Sequence, residues 1–209
     1  MPDPAQQLIA LGAATLGEAG GTPLAARIRP VWPGARLAAP AFGVRCTPGD
    51  NLALHAAVAR APAGSALAVD VGIEPELGYW GEVLTTAAMG RAIAGLVIDG
   101  CVRDVAALES RAFPVFSTGI ALPGATKKLP GATGGTVAVG DASVATGDWL
   151  VGDVDGVAVV PAARLDEVIT AGRARADRER GLFDALRSGK TTVELLGLDP
   201  SPIVDERQR

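Results

Sequence analysis

An arginine and an aspartate stand side by side at positions 103 and 104, directly after a short apolar run. Arg103 offers a planar fork of donors that fits a carboxylate, and Asp104 offers the hard oxygen ligands that Mg²⁺ prefers. The apolar run at 95–99 predicts a buried strand, and ligands of α/β proteins collect at the carboxyl ends of such strands. The pair therefore predicts a site for a small oxo-acid beside a metal ion. A surface Arg-Asp pair that caps the next helix is the alternative.

A second stretch lies just upstream, at the start of a helix predicted for 81–93, and its four residues are Gly81, Glu82, Val83 and Leu84. The glycine permits close backbone approach, and the free N–H groups of a first helical turn bind anions. We therefore expect a substrate carboxylate to bind the amides of residues 81–84, while Arg103 holds another of its oxygens. Taken alone, a glycine before a helix usually marks only a turn.

Together the two motifs resemble the class II 4-hydroxy-4-methyl-2-oxoglutarate aldolases, a family that also contains the RraA regulators of ribonuclease activity. Gly-Glu is followed after 20 residues by Arg-Asp, with Gly-Leu-Val-Ile-Asp-Gly between them. The resemblance covers roughly residues 20–175 and includes further matching segments at 29–36, 47–52, 147–153 and 155–161. It implies one α/β domain of the swivelling ββα type that is also seen in phosphohistidine domains.

The resemblance implies a divalent-metal-dependent aldolase that cleaves a 4-hydroxy-2-oxo-acid to pyruvate and a second oxo-acid. Examples of such substrates are 4-hydroxy-4-methyl-2-oxoglutarate and 4-carboxy-4-hydroxy-2-oxoadipate. In this interpretation Asp104 holds Mg²⁺ or Mn²⁺, Arg103 stabilises the developing pyruvate enolate, and Glu82 orients a water or the base. Oxaloacetate decarboxylation passes through the same enolate, so it is expected as a side activity. Asp99 is either an outer partner of this site or only part of an Asp-Gly turn.

The same resemblance implies homotrimers, or hexamers made from two trimers, with active sites at subunit boundaries. A non-catalytic RraA-type regulator that binds a ribonuclease is the alternative function. Regulators of that type tend to lack the metal-binding aspartate after the arginine, so Asp104 favours the enzyme. Met89 replaces a lysine that is common in the family pattern, which leaves the identity of the oxo-acid open.

Composition excludes several other classes of protein. The formal charge is −4 and no Lys/Arg-rich run is present, which argues against nucleic-acid binding. No apolar stretch approaches the ~20 residues that span a bilayer. The N-terminus lacks the basic start and apolar core of a signal peptide, which favours the cytoplasm. Cys46 and Cys101 are expected to be buried thiols, and the single histidine, His55, a packing or surface residue.

Strands and helices alternate along the chain. The pattern predicts strands at 36–45, 66–70, 95–99, 113–117, 135–139, 149–151 and 156–160. It predicts helices at 4–13, 21–27, 81–93, 103–109, 162–181 and 191–196, and one that Asp50 caps and that ends near Pro62. One domain over 1–209 is expected, with a helical arm at about 1–30 and a helical tail at about 162–209. The glycine-rich loop 118–135 is a candidate cover for the site.

Overall fold

The computed structural model describes residues 3–204 and has a mixed α/β fold, as the sequence predicts. The helices are α1 (Pro4–Glu18), α2 (Leu52–Arg60), α3 (Glu82–Gly90), α4 (Val105–Ser110), α5 (Leu165–Arg187) and α6 (Thr192–Leu196), with a 3₁₀ turn at Ala162–Arg164. The strands are β1 (Thr22–Pro23), β2 (Arg29–Pro30), β3 (Leu37–Arg45), β4 (Ala66–Asp70), β5 (Gly95–Asp99), β6 (Cys101–Val102), β7 (Val115–Ser117), β8 (Gly119–Ile120), β9 (Ala132–Thr133), β10 (Val137–Val139), β11 (Ala142–Val144), β12 (Trp149–Asp153) and β13 (Gly156–Val160).

One mixed sheet positions the rest of the fold. Its strands lie in the order β1-β13-β12-β3-β4-β5-β7-β2, and β9 also pairs with β3. The neighbours β3, β4, β5 and β7 are parallel, whereas β12, β13 and β1 extend the sheet with antiparallel pairs. The segments that leave the carboxyl ends of β3, β4 and β5 therefore emerge at the same edge of the sheet. Those segments are 46–51, 71–81 and 100–104.

Side chains alternate between the two faces of the sheet, so each face has its own apolar cluster. On β4, Leu67 and Val69 belong to a cluster that includes residues of α2, α3 and α4. Ala66 and Ala68 of the same strand belong to a second cluster, to which the β10–β11 hairpin contributes. A third cluster joins α1 and the start of α5 to β12 and β13. Helix α3 is therefore packed against the parallel part of the sheet.

The predicted helix at 21–27 is wrong. Gly20 has a φ of +112°, which ends the helical path after α1, and Thr22–Pro23 then pairs with Val159 and Ala158 as an edge strand. Proline is tolerated there because an edge strand does not require every backbone N–H. The sequence also missed β11, while the strands at 66–70 and 95–99 are confirmed.

The chain divides into two compact units, Met1–Gly172 and Arg173–Arg209. The first unit contains the sheet, α1 to α4 and the start of α5. The second contains the rest of α5 and α6, which begins with a capping box between Thr191 and Glu194. Among residues 3–204, no helix is both long and apolar enough to cross a membrane.

Candidate functional site

The two motifs meet where the segment before α3 runs alongside the end of β6. The Arg103 N–H donates to the Trp80 carbonyl at 2.9 Å, and Trp80 forms a parallel bridge with Val102. Trp80 is almost fully buried, and its indole N–H donates to the Thr85 hydroxyl at 2.7 Å. This pairing places Gly81 and the first turn of α3 directly beside Arg103 and Asp104.

Asp104 occupies the N-cap position of α4, but its carboxylate caps α3 instead. Its Oδ2 accepts a hydrogen bond of 3.0 Å from the Glu82 N–H, and no side-chain cap of α4 is present at this residue. The backbone of Asp104 is left-handed, with a φ of +59°, a region that aspartate tolerates better than most residues. The alternative that the pair caps the next helix is therefore wrong, because Asp104 caps α3 and not α4.

The backbone conformation of Gly81 does not require glycine, since its φ of −168° is available to any residue. Glycine is required because Asp104 and Arg103 lie too close for a side chain. A Cβ at this position would collide with Asp104 Oδ2 and lie 3.1 Å from Cγ of Arg103. A Cβ at Gly78 would similarly lie 3.0 Å from Cδ of Arg103. The arginine stem therefore packs against the two glycines, and the side chain as a whole is 45% exposed.

Glu82 contributes its backbone to the site, whereas its side chain has another partner. Its carboxylate pairs with Arg111 at 2.6 Å and is 48% exposed. The side chain is not among those that line the adjacent pocket. The predicted role of Glu82 in orienting a water or base therefore finds no support in its contacts.

A pocket of about 130 Å³ lies beside the Arg-Asp pair. Drug-sized ligands occupy pockets of roughly 300–1,000 Å³, so this one suits a small acid. The residues that line it come from α2, the segment before α3, α3 itself, the end of β6 and the glycine-rich loop: Asn51, His55, Gly78, Tyr79, Trp80, Gly81, Val83, Leu84, Arg103, Asp104, Gly124, Ala125 and Lys127. All predicted substrate-binding residues except Glu82 therefore line one pocket.

Three polar residues of this lining were not predicted as site residues: Asn51, His55 and Lys127. The Asn51 side chain donates through Nδ2 to the Tyr79 carbonyl at 2.8 Å. Burial lowers the pKa of His55, as does the positive charge of Lys127, although Asp50 opposes both effects. His55 thus lies at the pocket and is not simply a packing or surface residue. The sequence signal was its spacing of four residues from Asn51, about one helical turn.

Asp50 fastens the glycine-rich loop to the start of α2. Its buried carboxylate accepts hydrogen bonds from the Thr126 hydroxyl and from the N–H groups of Leu52, Lys128 and Leu129, at 2.5–3.1 Å. Burial alone would raise the pKa of Asp50, but these hydrogen bonds outweigh it and hold the pKa well below its usual value. The N-cap residue of α2 is Asn51 and not Asp50 as predicted, although Asp50 accepts from the N–H of Leu52, the first residue of the helix. The same carboxylate positions the loop that brings Lys127 to the pocket.

We expect Asp50→Asn to lower the free energy of unfolding by about 1–3 kcal/mol at pH 7, since an amide cannot accept all four bonds. Because the folded pKa is depressed, the carboxylate stabilises the protein above pH ~4, its usual unfolded value, and this contribution is lost as the pH falls further. Urea unfolding at pH 7 and pH 3 measures the difference, which should shrink at the lower pH. Glu109→Gln, the same change at an exposed carboxylate, is the control. A difference that is equal at both pH values would contradict this role.

Asp99 and the cysteines lie outside the pocket lining. The Asp99 carboxylate receives two hydrogen bonds from Arg27, at 2.8 and 3.0 Å, and one from the Gly140 N–H. It therefore ties the N-terminal segment to the sheet. Cys46 and Cys101 are free and buried, as predicted, and burial together with nearby carboxylates raises the pKa of Cys46 to about 12.

The contacts of Asp104 are compatible with a magnesium-type ion. Oδ2 accepts from the Glu82 N–H and lies 3.8 Å from Nε of Arg103, which leaves Oδ1 available to a cation. Within residues 3–204, no three Asp, Glu, His or Cys side chains cluster into a complete metal site. One carboxylate with waters and substrate oxygens fits Mg²⁺ or Mn²⁺ and does not fit the closed ligand set of structural zinc.

Comparison with known proteins shows the family and the fold of this chain. The sequence model of the RraA-like family (Aldolase/RraA) matches residues 13–159. A protein of Halalkalibacterium halodurans named "Putative 4-hydroxy-4-methyl-2-oxoglutarate aldolase" is 30% identical over 179 residues, covering 84% of this chain and 85% of its own. An uncharacterized protein from Pseudomonas syringae pv. tomato has a similar structure, with a TM-score of 0.79, 28% identity and coverage of 90% and 91% of the two chains. The RNA-processing inhibitor RraA from Thermus thermophilis shares the fold at a TM-score of 0.65 and 24% identity, covering 71% of this chain and 92% of its own.

Proposed function

Because the chain belongs to the RraA-like (Aldolase/RraA) family, we propose that it is a divalent-metal-dependent aldolase. It cleaves a 4-hydroxy-2-oxo-acid, such as 4-hydroxy-4-methyl-2-oxoglutarate, to pyruvate and a second oxo-acid. The observation that supports this most is the Asp104 carboxylate beside the Arg103 guanidinium at a pocket sized for a small acid. An anion receptor next to a hard oxygen ligand is what a 2-oxo-acid and its cation require.

The first turn of α3 supplies part of the anion grip. Since Asp104 already accepts from the Glu82 N–H, the amides of Val83 and Leu84 are the ones that helix geometry leaves for a substrate carboxylate. This narrows the expectation that all amides of 81–84 bind substrate. Arg103, whose stem packs against Gly78 and Gly81, holds a second oxygen of the same acid.

In the cleavage, the 4-hydroxyl loses its proton to water and the fourth carbon becomes the carbonyl of the second oxo-acid. The electron pair of the bond between the third and fourth carbons moves onto the pyruvate half, which then takes a proton from water. Arg103 stabilises the negative charge that develops on that enolate, as a preorganised donor that needs little reorganisation. A cation held by Asp104 supplies Lewis-acid stabilisation of the same charge when it is bound. Oxaloacetate loses carbon dioxide through the same enolate, so we include oxaloacetate decarboxylation in the proposal.

Pyruvate release from a panel of acids tests the proposal. The purified protein is given 4-hydroxy-4-methyl-2-oxoglutarate, 4-carboxy-4-hydroxy-2-oxoadipate or oxaloacetate with Mg²⁺, and pyruvate is followed by coupled reduction to lactate. We expect release from at least one 4-hydroxy acid and from oxaloacetate. No release from any of them, together with inhibition of a ribonuclease by the protein, would instead support the RraA-type regulator.

We also propose that the chain assembles as a homotrimer or hexamer with the site near a subunit boundary. Large apolar side chains are exposed beside the pocket: Val83 on α3, and Ile120 and Leu122 in the glycine-rich loop, at 76%, 62% and 82%. A subunit contact would cover such a patch. Light scattering should give three or six times the chain mass, and Leu122→Lys should lower it. A fully active monomer would contradict the assembly and leave the loop as a cover within one chain.

A further inference from the structure

Two buried side-chain atoms of residues that line the pocket have no hydrogen-bond partner among the protein atoms of residues 3–204. Within the part of the chain that the structure describes, Asn51 Oδ1 and His55 Nε2 are the buried side-chain atoms without a hydrogen bond. Both residues line the pocket that also contains Arg103 and Asp104. Asn51 is the N-cap residue of α2, and His55 lies in the first turn, where its backbone N–H donates to the Asn51 carbonyl at 3.4 Å. Buried polar atoms are rarely left unpaired, and two in one pocket point to a ligand.

The orientation of the Asn51 amide is fixed by its hydrogen bond to Tyr79. Its Nδ2 donates to the Tyr79 carbonyl at 2.8 Å, and the reversed amide would place one oxygen against another. Tyr79 is itself fully buried, and its hydroxyl accepts from the Gly49 N–H and donates to the Glu74 carbonyl. The unpaired Oδ1 of Asn51 is therefore an acceptor, and the ligand must offer it a donor.

His55 complements that acceptor. Burial and the charge of Lys127 both lower the pKa of His55, which favours a neutral imidazole in the physiological range. We assign to the neutral imidazole the tautomer that is protonated at Nε2, which makes this atom a donor. A 2-oxo group or a carboxylate accepts hydrogen bonds only, so neither can satisfy both unpaired atoms. A hydroxyl group accepts and donates at the same oxygen.

We propose that Asn51 and His55 form a hydroxyl-binding pair that recognises the 4-hydroxyl group of the substrate. The hydroxyl donates to Asn51 Oδ1 and accepts from His55 Nε2, while Arg103 holds the 2-oxo-acid end in the same pocket. This inference rests on the proposed aldolase function and deepens it, because it assigns residues that select 4-hydroxy acids. Oxaloacetate has no such hydroxyl, so its decarboxylation gains nothing from the pair.

Substitution tests the selection. His55→Leu and Asn51→Leu should lower the ratio of kcat/KM for 4-hydroxy-4-methyl-2-oxoglutarate cleavage to that for oxaloacetate decarboxylation by about 10–10²-fold, since each leaves half of the hydroxyl unpaired. His55→Gln retains an N–H donor and should restore part of the ratio. Arg60→Ala, an exposed change on the same helix, is the matched control. A ratio within twofold of wild type in both Leu variants would overturn the proposal.

A binding experiment decides the same point without turnover. 2,4-Dihydroxyglutarate and 2-hydroxyglutarate differ only in the 4-hydroxyl, and neither can be cleaved because both lack the 2-oxo group. His55 is the only histidine, so its imidazole resonances are assigned without ambiguity by NMR. With Mg²⁺ present, the dihydroxy acid should bind at least about tenfold more tightly and shift the Nε2 resonance, whereas the 2-hydroxy acid should not shift it.

Equal affinities and equal shifts for the two acids would overturn the hydroxyl-binding pair, whether or not the protein is an aldolase. The opposite combination is also informative. If the dihydroxy acid binds selectively but no 4-hydroxy-2-oxo-acid releases pyruvate, the pair stands and the aldolase proposal fails. The two failures are therefore distinguishable.

Discussion

Asp104→Ala should lower pyruvate release from a 4-hydroxy-2-oxo-acid on the order of 10³-fold or more. In the proposed function this carboxylate is the oxygen ligand that holds the cation, and Lewis-acid stabilisation of an enolate is worth several kcal/mol. The variant also removes the hydrogen bond of 3.0 Å that caps α3, which costs about 1 kcal/mol of stability. Turnover at saturating Mg²⁺ and urea unfolding should be measured on the same preparation.

Asp104→Asn separates the chemical loss from the structural one. An amide oxygen can still accept from the Glu82 N–H, so this variant should unfold close to the wild-type denaturant midpoint. It lacks the negative charge that holds a cation, so its turnover should fall nearly as far as that of the alanine variant. If Asp104→Asn cleaves substrate within a few-fold of wild type, the aspartate is a helix cap and not a metal ligand.

Arg103→Lys should reduce turnover by about 10²–10³-fold, although the charge is retained. The arginine stem packs against Gly78 and Gly81, and the residue lines the pocket. An ammonium group is a point charge and cannot reproduce two parallel donors to one acid. Loss of a preorganised donor to a developing oxyanion has an effect of this size.

Arg91→Lys is the matched control for that change. Arg91 is exposed at the end of α3, donates to the Ala59 carbonyl and does not line the pocket. We expect its turnover to equal that of wild type. An Arg103→Lys variant with similarly unchanged turnover would assign Arg103 to structure alone.

The central elements of the site follow from local sequence. The apolar runs at 66–70 and 95–99 predict adjacent buried strands, and parallel pairing brings the residues after them to one edge. The closeness of Arg103 to the first turn of α3 can therefore be predicted from the sequence, because each motif directly follows a strand or begins a helix.

Other features depend on contacts between segments that are distant in sequence. Asp50 reads as an ordinary helix cap, and only the folded chain shows that residues 126–129 return to it, more than 70 positions away. Likewise, only the folded chain shows that Nε2 of His55 is buried without a hydrogen-bond partner among the described residues, a property that residue spacing does not reveal. The edge strand at Thr22–Pro23 was missed since its pairing partner lies in β13.

Metal dependence tests the central proposal most directly. Wild-type protein is treated with a chelator, assayed for pyruvate release from 4-hydroxy-4-methyl-2-oxoglutarate, and assayed again after addition of Mg²⁺ or Mn²⁺. The proposal predicts that release stops with the chelator and returns with either cation, and that Asp104→Ala stays inactive throughout. Cleavage at the full rate in the chelated protein would contradict it.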